Sequence, residues 1–448
     1  MSSYVPNTQA CQKEMLKECG YKNFEEMFSC IPSEIKLDGG LNLPEGLSEM
    51  EVMRKLQQIS QKNKVFRTIF RGAGAYNHYI PSIVKSVCSK EEFVTAYTPY
   101  QAEISQGILQ SIFEFQTMIC ELTGMDVANA SHYDGATAAA EAIPMCVDSK
   151  HRTAYVSETV NPGVLEVMKT YCFGSNTKLV VVPAKDGVTD MDSLKALLQE
   201  DDQPACFYLQ QPNYFGIFEE SKALGNMIHN AGGKFIMGVN PIALSIMETP
   251  EEAGADIAVG DGQPLGMPIA YGGPYFGFMA TTSKMMRKLP GRIVGETTDA
   301  EGNRAFVLTL QAREQHIRRE KASSNICSNE NLCTLIASVY MAAMGSKGIR
   351  QAAVQSMSKA HYMKDELEKA GFKMVYTKEF FNEFVTDCPV NLNSLMSKLS
   401  DAGILGGMPL GEDKILWCTT EMNSKEEIDE VVAAASQLTK CLNSGEVK

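Results

Sequence analysis

The spacing of apolar residues changes along the chain and predicts regions of different structure. Over residues 1–65, apolar positions recur at helical spacing only in short stretches, near residues 8–19, 24–28 and 48–60, with a loop at 37–47. These stretches predict a helical N-terminal arm with little core of its own. We expect this arm to pack against the main body or against a partner chain.

Residues 104–122 carry the most regular helical stripe in the chain. Gly124 follows the stripe, as is typical at the end of a helix. We expect a core helix here rather than a functional stripe. The apolar residues on one face are Ile104, Ile108, Ile112, Phe115, Ile119 and Leu122.

The middle of the chain alternates β-type runs with helical stretches. This alternation predicts a doubly wound, mainly parallel sheet inside a large α/β domain, residues 66–324. Ligands of such sheets bind at the carboxyl ends of the strands. The predicted strands are residues 153–157, 178–183, 205–210, 234–239 and 255–259.

After residue 324 the pattern changes again. A long helical stretch over residues 331–370, interrupted at Gly345 and Gly348, precedes short strands and two further helices. This order predicts a smaller α+β domain over residues 325–448.

Composition and charge exclude several classes of protein. The formal charge of −13 disfavours a nucleic-acid-binding protein. The 13 cysteines and six histidines show no metal-ligand or disulfide spacing, which predicts free thiols in a reducing cytosol and no metal site. We find no signal-peptide pattern and no apolar stretch long enough for a bilayer, so we expect a cytoplasmic protein without a membrane segment.

Two segments of the middle region carry candidate chemistry. Gly135 and Thr137 open an alanine-rich helix, which is the usual construction of a phosphate site, but Asp134 puts a negative charge there and favours a plain helix cap. Asn240 follows a predicted strand and faces the expected ligand crevice. Between Lys234 and Lys284 the sequence has no Lys or Arg, so chemistry in this crevice does not use a local amine.

Residues 311–325 concentrate positive charge within an acidic chain. They could bind a carboxylate or an acidic partner, or form an ordinary solvated run, and the residues alone do not decide between these. Tyr97 and Tyr100 flank Pro99 and offer two hydroxyls near an extended turn, although both are equally compatible with packing. The basic side chains are Arg313, Arg318, Arg319 and Lys321.

Taken together, several long motifs resemble the glycine cleavage system P-protein family over essentially the whole chain. His78 and Pro81 accompany the first of these motifs. The motifs are GAGAY at residues 72–76, YTPYQ at 97–101, EISQG at 103–107, TAAAE at 137–141, GGPY at 272–275 and REQHIRREK at 313–321.

The resemblance implies a fold, an activity and partners. It implies the pyridoxal 5'-phosphate (PLP)-dependent transferase fold of type I, as in aminotransferases. It implies decarboxylation of glycine and transfer of the aminomethyl group to the lipoyl arm of the H-protein. The length fits the α chain of the two-chain form, an α2β2 heterotetramer whose β subunit carries the PLP-binding lysine.

Compared with a PLP-binding chain of this fold, three residues of the crevice differ from those that hold the cofactor. Gln263 stands where a catalytic chain would carry the Schiff-base lysine, and an amide cannot form an imine. Asn240 stands near the place of the pyridine-binding aspartate, and Asp134 would oppose the cofactor phosphate. We therefore expect a vestigial crevice around Asp134, Gly135, Thr137, Asn240 and Gln263, with no catalytic residue in this chain.

By resemblance, other residues contribute to the active site of the β subunit. The best candidates are Tyr97, Tyr100 and Gln101. A second set comes from the basic segment and its end, where Ser323 and Ser324 stand in place of an expected Thr-Ser pair. That second set is Arg313, His316, Arg318, Arg319, Lys321, Ser324 and Asn325.

Two alternatives remain open from the sequence. The chain could be an independent PLP-dependent transaminase or lyase, which would show a cofactor absorbance band on its own. It could instead be a non-catalytic regulatory or scaffold protein of the same fold, which would not co-purify with a β subunit.

Overall fold

The computed structural model describes residues 7–37, 39–95, 99–328 and 330–444. It divides the chain into two compact units, Met1–Val65 and Phe66–Lys448. In the first unit, Leu16 alone among the described side chains is buried, so this arm has little core of its own. Its helices are α1 (Gln9–Glu18), α2 (Phe24–Met27) and α3 (Glu49–Ser60).

Side-chain caps fix where the arm helices begin. Thr8, Asn23 and Ser48 each accept a hydrogen bond from a backbone N–H in the first turn of the following helix. Ser48 and Glu51 form a reciprocal capping box. The three helices predicted in this region are confirmed to within two residues at each end.

The second unit contains the remaining helices and the strands. Its helices are α4 (Ser82–Cys88), α5 (Glu91–Val94), α6 (Gln106–Thr123), α7 (Gly135–Cys146), α8 (Pro162–Gly174), α9 (Met191–Gln199), α10 (Ser221–Asn230), α11 (Gln315–Arg318), α12 (Asn331–Lys369), α13 (Leu392–Asp401) and α14 (Lys425–Ser444). Its strands are β1 (Thr68–Ile69), β2 (Val127–Ala128), β3 (Thr153–Ser157), β4 (Lys178–Val182), β5 (Ala184–Lys185), β6 (Val188–Thr189), β7 (Pro204–Gln211), β8 (Lys234–Val239), β9 (Ile257–Asp261), β10 (Gly277–Thr281), β11 (Ile293–Thr298), β12 (Arg304–Thr309), β13 (Glu383–Asp387), β14 (Ile404–Leu405), β15 (Met408–Leu410) and β16 (Lys414–Cys418).

A seven-stranded sheet organises the described part of this unit. Its strand order is β2-β10-β9-β8-β7-β3-β4. The strands β9, β8, β7, β3 and β4 are mutually parallel, and β10 runs antiparallel to both of its neighbours. The predicted doubly wound, mainly parallel sheet is therefore confirmed, and every predicted strand lies within two residues of an observed one.

Both faces of this sheet are buried. Successive side chains of each strand point to opposite faces, and the side chains on each face lie in an apolar core. On β3, Tyr155 belongs to the larger apolar core, whereas Ala154 and Val156 belong to the core on the other face. On β7, Phe207 and Tyr208 alternate in the same way. This burial holds the carboxyl ends of the strands in fixed positions, where a ligand site can form.

The C-terminal elements form a separate apolar core of their own. Strands β13, β16 and β15 make an antiparallel sheet, and β1 pairs in parallel with β14. Phe70 lies in the same apolar core as Phe384 and Trp417, beneath α13 and α14. The segment just after the arm thus packs with the end of the chain.

Two predictions about helices need correction. The helix predicted from residue 104 begins later. The observed α6 starts at Gln106, and Ile104 precedes the capping residue Ser105 with 79% of its surface exposed. In α12 the chain leaves helical geometry at Gly345 only, with φ of 60°, and Gly348 stays helical.

The helix α12 ends within one residue of the predicted stretch 331–370. By length and composition it passes the test for a membrane-spanning helix among the described residues. Its buried side chains, including Leu335, Ala337 and Tyr340, belong to the larger apolar core, and it packs against α4 and α6. These contacts are those of a core helix of a folded domain.

Candidate functional site

A cavity of about 370 Å³ opens at the carboxyl ends of the central parallel strands. The ends of β7, β8 and β9 form its floor, and the start of α7 forms one wall. The segment of residues 72–76 covers it and Glu383 of β13 lines the opposite side. This is the crevice expected from the sheet topology.

The N-terminus of α7 is filled by protein carboxylates. Asp134 caps the helix: its Oδ1 accepts hydrogen bonds from the Thr137 N–H at 2.8 Å and the Thr137 hydroxyl at 2.7 Å. The Gly135 N–H donates to Oδ2 of Asp261 at 2.9 Å. Two of the N–H donors that a phosphate would need, those of Gly135 and Thr137, are therefore already used, and the capped-helix interpretation of Asp134 is confirmed.

Gly135 also lets α7 approach the end of β9. A Cβ at this position would lie 2.7 Å from both the backbone N and the Cβ of Asp261. Burial raises the pKa of Asp261 to about 6, with a further contribution from the charge of Asp134, although the Gly135 and Gln263 N–H groups oppose the shift.

Gln263 is a structural residue whose amide is fully used. It is 1% exposed, and its Oε1 accepts from the Tyr76 N–H at 2.8 Å. Its Nε2 donates to the carbonyl oxygens of Tyr76 and Met267, both at 2.8 Å. This side chain ties the covering segment to the strand end, and an amide has no nucleophilic nitrogen for an imine.

Asn240 lines the crevice directly after β8. Its Oδ1 accepts hydrogen bonds from the N–H groups of Ile242 at 2.9 Å and Ala243 at 3.3 Å. The side chain therefore holds a backbone turn, as Asn commonly does after a strand.

The covering segment is held by a buried carboxyl on its other side. Oε1 of Glu383 accepts from the Ala73 N–H at 2.7 Å, and Oε2 accepts from the Tyr76 hydroxyl at 2.8 Å. Asn161 Nδ2 donates to the Ala73 carbonyl at 3.0 Å. Glu383 is 4% exposed, and burial raises its pKa to about 7.

The residues of this crevice do not fit PLP. Among the described residues, none of those that line the cavity is a Lys or Arg, so neither an imine nor a charge pair with a phosphate is available. At the α7 N-terminus, the carboxylates of Asp134 and Asp261 already accept from two of the N–H donors. Within the part of the chain that the structure describes, no group of three or more His, Cys, Asp or Glu side chains could hold a metal ion.

The basic segment lies apart from the crevice, around a second cavity of about 560 Å³. Arg313, Arg318, Lys321 and Ser324 line this cavity together with Glu141. The guanidinium of Arg313 donates to the carbonyl oxygens of residues 289 and 291, and burial lowers its pKa. Burial also raises the pKa of Glu141 to about 7, opposed by a hydrogen bond from Ser324.

The other predicted residues of the basic segment are exposed. His316 lies 3.9 Å from the carboxylate of Glu314, and Arg319 has a positive φ of 58°. Neither of these two side chains nor Asn325 lines the second cavity. Of the seven residues predicted in this segment, four therefore share the second cavity and three lie outside it.

The tyrosine motif is partly described. Tyr97 lies outside the described residues. Tyr100 is 60% exposed, and Arg292 donates to its hydroxyl at 2.5 Å while the guanidinium lies 4.7 Å from its ring centre. Gln101 is exposed, and its carbonyl accepts from the Ile104 N–H at 3.3 Å.

The sequence interpretation missed several residues of the crevice. Asp261 lies just beyond the predicted strand 255–259 and was not identified, and Tyr76 was noted only as part of the GAGAY motif. Glu383 and Tyr208 were not identified as crevice residues, because they lie 307 and 132 residues away from Tyr76 in the sequence. A Glu within an apolar β-type run was the one available hint for Glu383.

Comparison with known proteins gives the family. The sequence model of the glycine cleavage system P-protein matches residues 2–435. The chain belongs to the glycine cleavage system P-protein family. A relative in this family, "Probable glycine dehydrogenase (decarboxylating) subunit 1" of Brevibacillus brevis, is 48% identical over 98% of this chain and 99% of its own length. A relative of the same name from Moorella thermoacetica is 48% identical over 96% of this chain and 98% of its own length.

Solved structures agree with this membership. A crystal structure of glycine decarboxylase (P-protein) of the glycine cleavage system, in inhibitor-bound form, superposes with a TM-score of 0.90 at 38% identity, covering 98% of this chain and 100% of that one. An alanine–glyoxylate aminotransferase from Nostoc shares the fold, with a TM-score of 0.57 at 15% identity over 83% of this chain and 95% of that one. The family resemblance and the type I fold predicted for P-proteins are confirmed.

Proposed function

We propose that this chain is the subunit of decarboxylating glycine dehydrogenase that lacks the cofactor lysine, and that it acts with a second subunit that carries it. Together they would decarboxylate glycine and pass its aminomethyl group to the H-protein, with the lipoyl disulfide as acceptor. PLP on the second subunit would supply the electron sink for this reaction. The name subunit 1 of the relatives implies such a second subunit.

The observation that carries the proposal is the state of Gln263. Its amide makes three hydrogen bonds at 2.8 Å and holds the covering segment closed over the crevice. A chain of a PLP-dependent family without an imine-forming lysine needs a partner for the chemistry. We propose a complex of two subunits of each kind, located in the cytoplasm.

We further propose which residues of this chain reach the partner's active site. Tyr97, Tyr100 and Gln101 are the first set, and the 60% exposure of Tyr100 supports a role at a surface. The second set is the basic segment. Its side chains in the 560 Å³ cavity form no ion pair among the described residues, which leaves positive charge for a carboxylate or a partner. This second set comprises Arg313, His316, Arg318, Arg319, Lys321, Ser324 and Asn325.

The test is exchange of labelled bicarbonate into glycine, measured with each subunit alone and with both. The proposal predicts activity for the pair and none for this chain alone. Full activity of the second subunit by itself would contradict the proposal. Activity of this chain alone, with an absorbance band of bound PLP, would indicate an independent PLP enzyme.

A further inference from the structure

Arg292 is a buried cation that has no carboxylate partner in the described part of the chain. It lies directly before β11 and is 5% exposed, and its buried Nε has no hydrogen-bond partner among the described residues. A guanidinium keeps its charge, and a buried charge without an opposite charge is unfavourable for folding. This arrangement indicates that the charge serves something other than packing.

Neighbouring backbone groups and one buried hydroxyl hold Arg292 in place. Its carbonyl accepts from the Ala130 N–H at 2.8 Å, and its own N–H donates to the Ser328 hydroxyl at 3.0 Å. Its Nη1 donates to the Ser328 carbonyl at 2.8 Å. Ser328 is 1% exposed, and its hydroxyl donates in turn to the Ser131 carbonyl at 3.1 Å. Both the backbone of Arg292 and one nitrogen of its guanidinium are therefore fixed.

The other terminal nitrogen of the guanidinium binds Tyr100. Nη2 donates to the Tyr100 hydroxyl at 2.5 Å and contacts the Cys327 sulfur at 3.6 Å, and the guanidinium carbon lies 4.7 Å from the tyrosine ring centre. A hydroxyl that accepts from a cation still has its own proton to donate, and the accepted bond strengthens that donation. Because Tyr100 is 60% exposed, the pair presents an oriented hydrogen-bond donor at the surface.

We propose that Arg292 is a positioning residue for the reaction of the two-subunit complex, and that it holds the Tyr100 hydroxyl as a hydrogen-bond donor toward the partner's active site. The inference rests on the proposed function, in which Tyr100 reaches that site. Arg292 acts through Tyr100 and does not itself contact the substrate. Without the guanidinium, the exposed tyrosine side chain is free to adopt other rotamers, and the orientation of its hydroxyl is lost.

The experiment is a double-mutant cycle on glycine–bicarbonate exchange, with the complex reconstituted from both subunits. It compares the wild type, Arg292→Gln, Tyr100→Phe and the double variant. Arg292→Gln should lower kcat at least about tenfold, which is the usual effect of losing a hydrogen bond from a charged group. In the Tyr100→Phe background, the same substitution should lower kcat by less than about twofold, because the group through which Arg292 acts is already absent.

A merely structural role of Arg292 would give a different result. If Arg292 only stabilised the fold, Arg292→Gln would lower kcat by the same factor with and without the Tyr100 hydroxyl, and the inference would be overturned. Arg292→Lys keeps the charge and a donor without the fork of the guanidinium, so the loss should be only about threefold. A loss in the Lys variant as large as that in the Gln variant would count against the inference.

Arg304→Gln is the matched control. The guanidinium of Arg304 is exposed, lies 4.9 Å from the ring centre of Phe306 and pairs with Glu296 at 2.8 Å. Exposed pairs of this kind contribute little, so we expect kcat within about twofold of the wild type. A loss as large as that of Arg292→Gln would show that removing any arginine beside an aromatic ring lowers the activity, and would overturn the inference.

The remaining outcomes separate this inference from the proposed function. An active wild-type complex with a fully active Arg292→Gln variant would overturn the inference and leave the proposed function standing. An inactive wild-type complex would overturn the proposed function and this inference with it. If circular dichroism shows that Arg292→Gln does not fold, Arg292→Lys replaces it in the cycle, and an equal loss of kcat in both backgrounds again overturns the inference.

Discussion

Replacing Gln263 by Met tests whether this side chain holds the covering segment closed. Met has a similar volume and cannot form the three hydrogen bonds, so the Tyr76 N–H and the carbonyl oxygens of Tyr76 and Met267 lose their partners. At about 1 kcal/mol for each bond, Gln263→Met should lower the local opening free energy by about 3 kcal/mol. Amide exchange at Tyr76 should then speed up by roughly a hundredfold.

Hydrogen exchange read by mass spectrometry on peptides that contain Tyr76 measures this change directly. Gln110→Met serves as the control. Gln110 is exposed on α6, and among the described residues its side chain bonds only to Glu114, at 2.8 Å, so we expect a change under about 0.5 kcal/mol. If Tyr76 exchanges within about threefold of the wild-type rate in the Gln263 variant, the amide does not hold the segment and the reasoning is wrong.

Three further outcomes follow from the same contacts. Burial raises the pKa of Glu383 from 4.5 to about 7, so the folded carboxyl holds its proton more tightly than the unfolded one, and the wild-type free energy of unfolding falls as the pH rises through this window. In urea denaturation, Glu383→Gln should gain about 2.5 kcal/mol over the wild type between pH 5 and pH 8, and a constant difference would count against the buried charge. Gly216→Ala should lower the free energy of unfolding by more than about 2 kcal/mol, because φ is +81° and a Cβ would lie 2.0 Å from the Glu383 carbonyl oxygen. Gly411→Ala, at φ +75° in open space, should lower it by only about 1 kcal/mol in the same denaturation series. Equal losses in the two variants would refute the clash at Gly216. Tyr100→Phe should lower the exchange activity of the reconstituted pair at least about tenfold while the melting temperature of the isolated chain moves by less than about 3 °C, and full activity would remove Tyr100 from the partner site.

The spacing of apolar residues and the position of a glycine predicted individual strands and one helix end correctly. Residues 153–157 and 234–239 were identified as strands because short apolar runs of this kind are buried on both faces of a parallel sheet. Gly124 ended α6 as expected, since it adopts φ of +75° at the helix end. The start of α6 was wrong because Ile104 continues the apolar spacing without belonging to the helix.

The crevice could be predicted only in part, because its contacts are distant in sequence. Asp134 was found from its position before a helix and Asn240 from its position after a strand, whereas Gln263 was found through the family resemblance. Glu383 reaches Ala73 across 310 residues, and no pattern around either residue indicates that contact. The antiparallel β10 and the β11–β12 hairpin were also missed, since their strands are short or flanked by polar residues.

The mismatch between the residues of this crevice and PLP lies in three places. Gln263 uses its amide for structure, Asp134 and Asp261 occupy the α7 N-terminus, and Asn240 holds a turn. A single substitution such as Gln263→Lys would bury an ammonium group without restoring a phosphate site. We therefore expect that this variant alone does not acquire bound PLP.

The central claim is that the reactive lysine belongs to the partner subunit. Borohydride reduction of the co-purified complex, followed by peptide mapping by mass spectrometry, tests it most directly. The account predicts pyridoxyl-lysine on the partner chain and none on this one. A pyridoxyl group on any lysine of this chain, at a stoichiometry near one, would contradict the account.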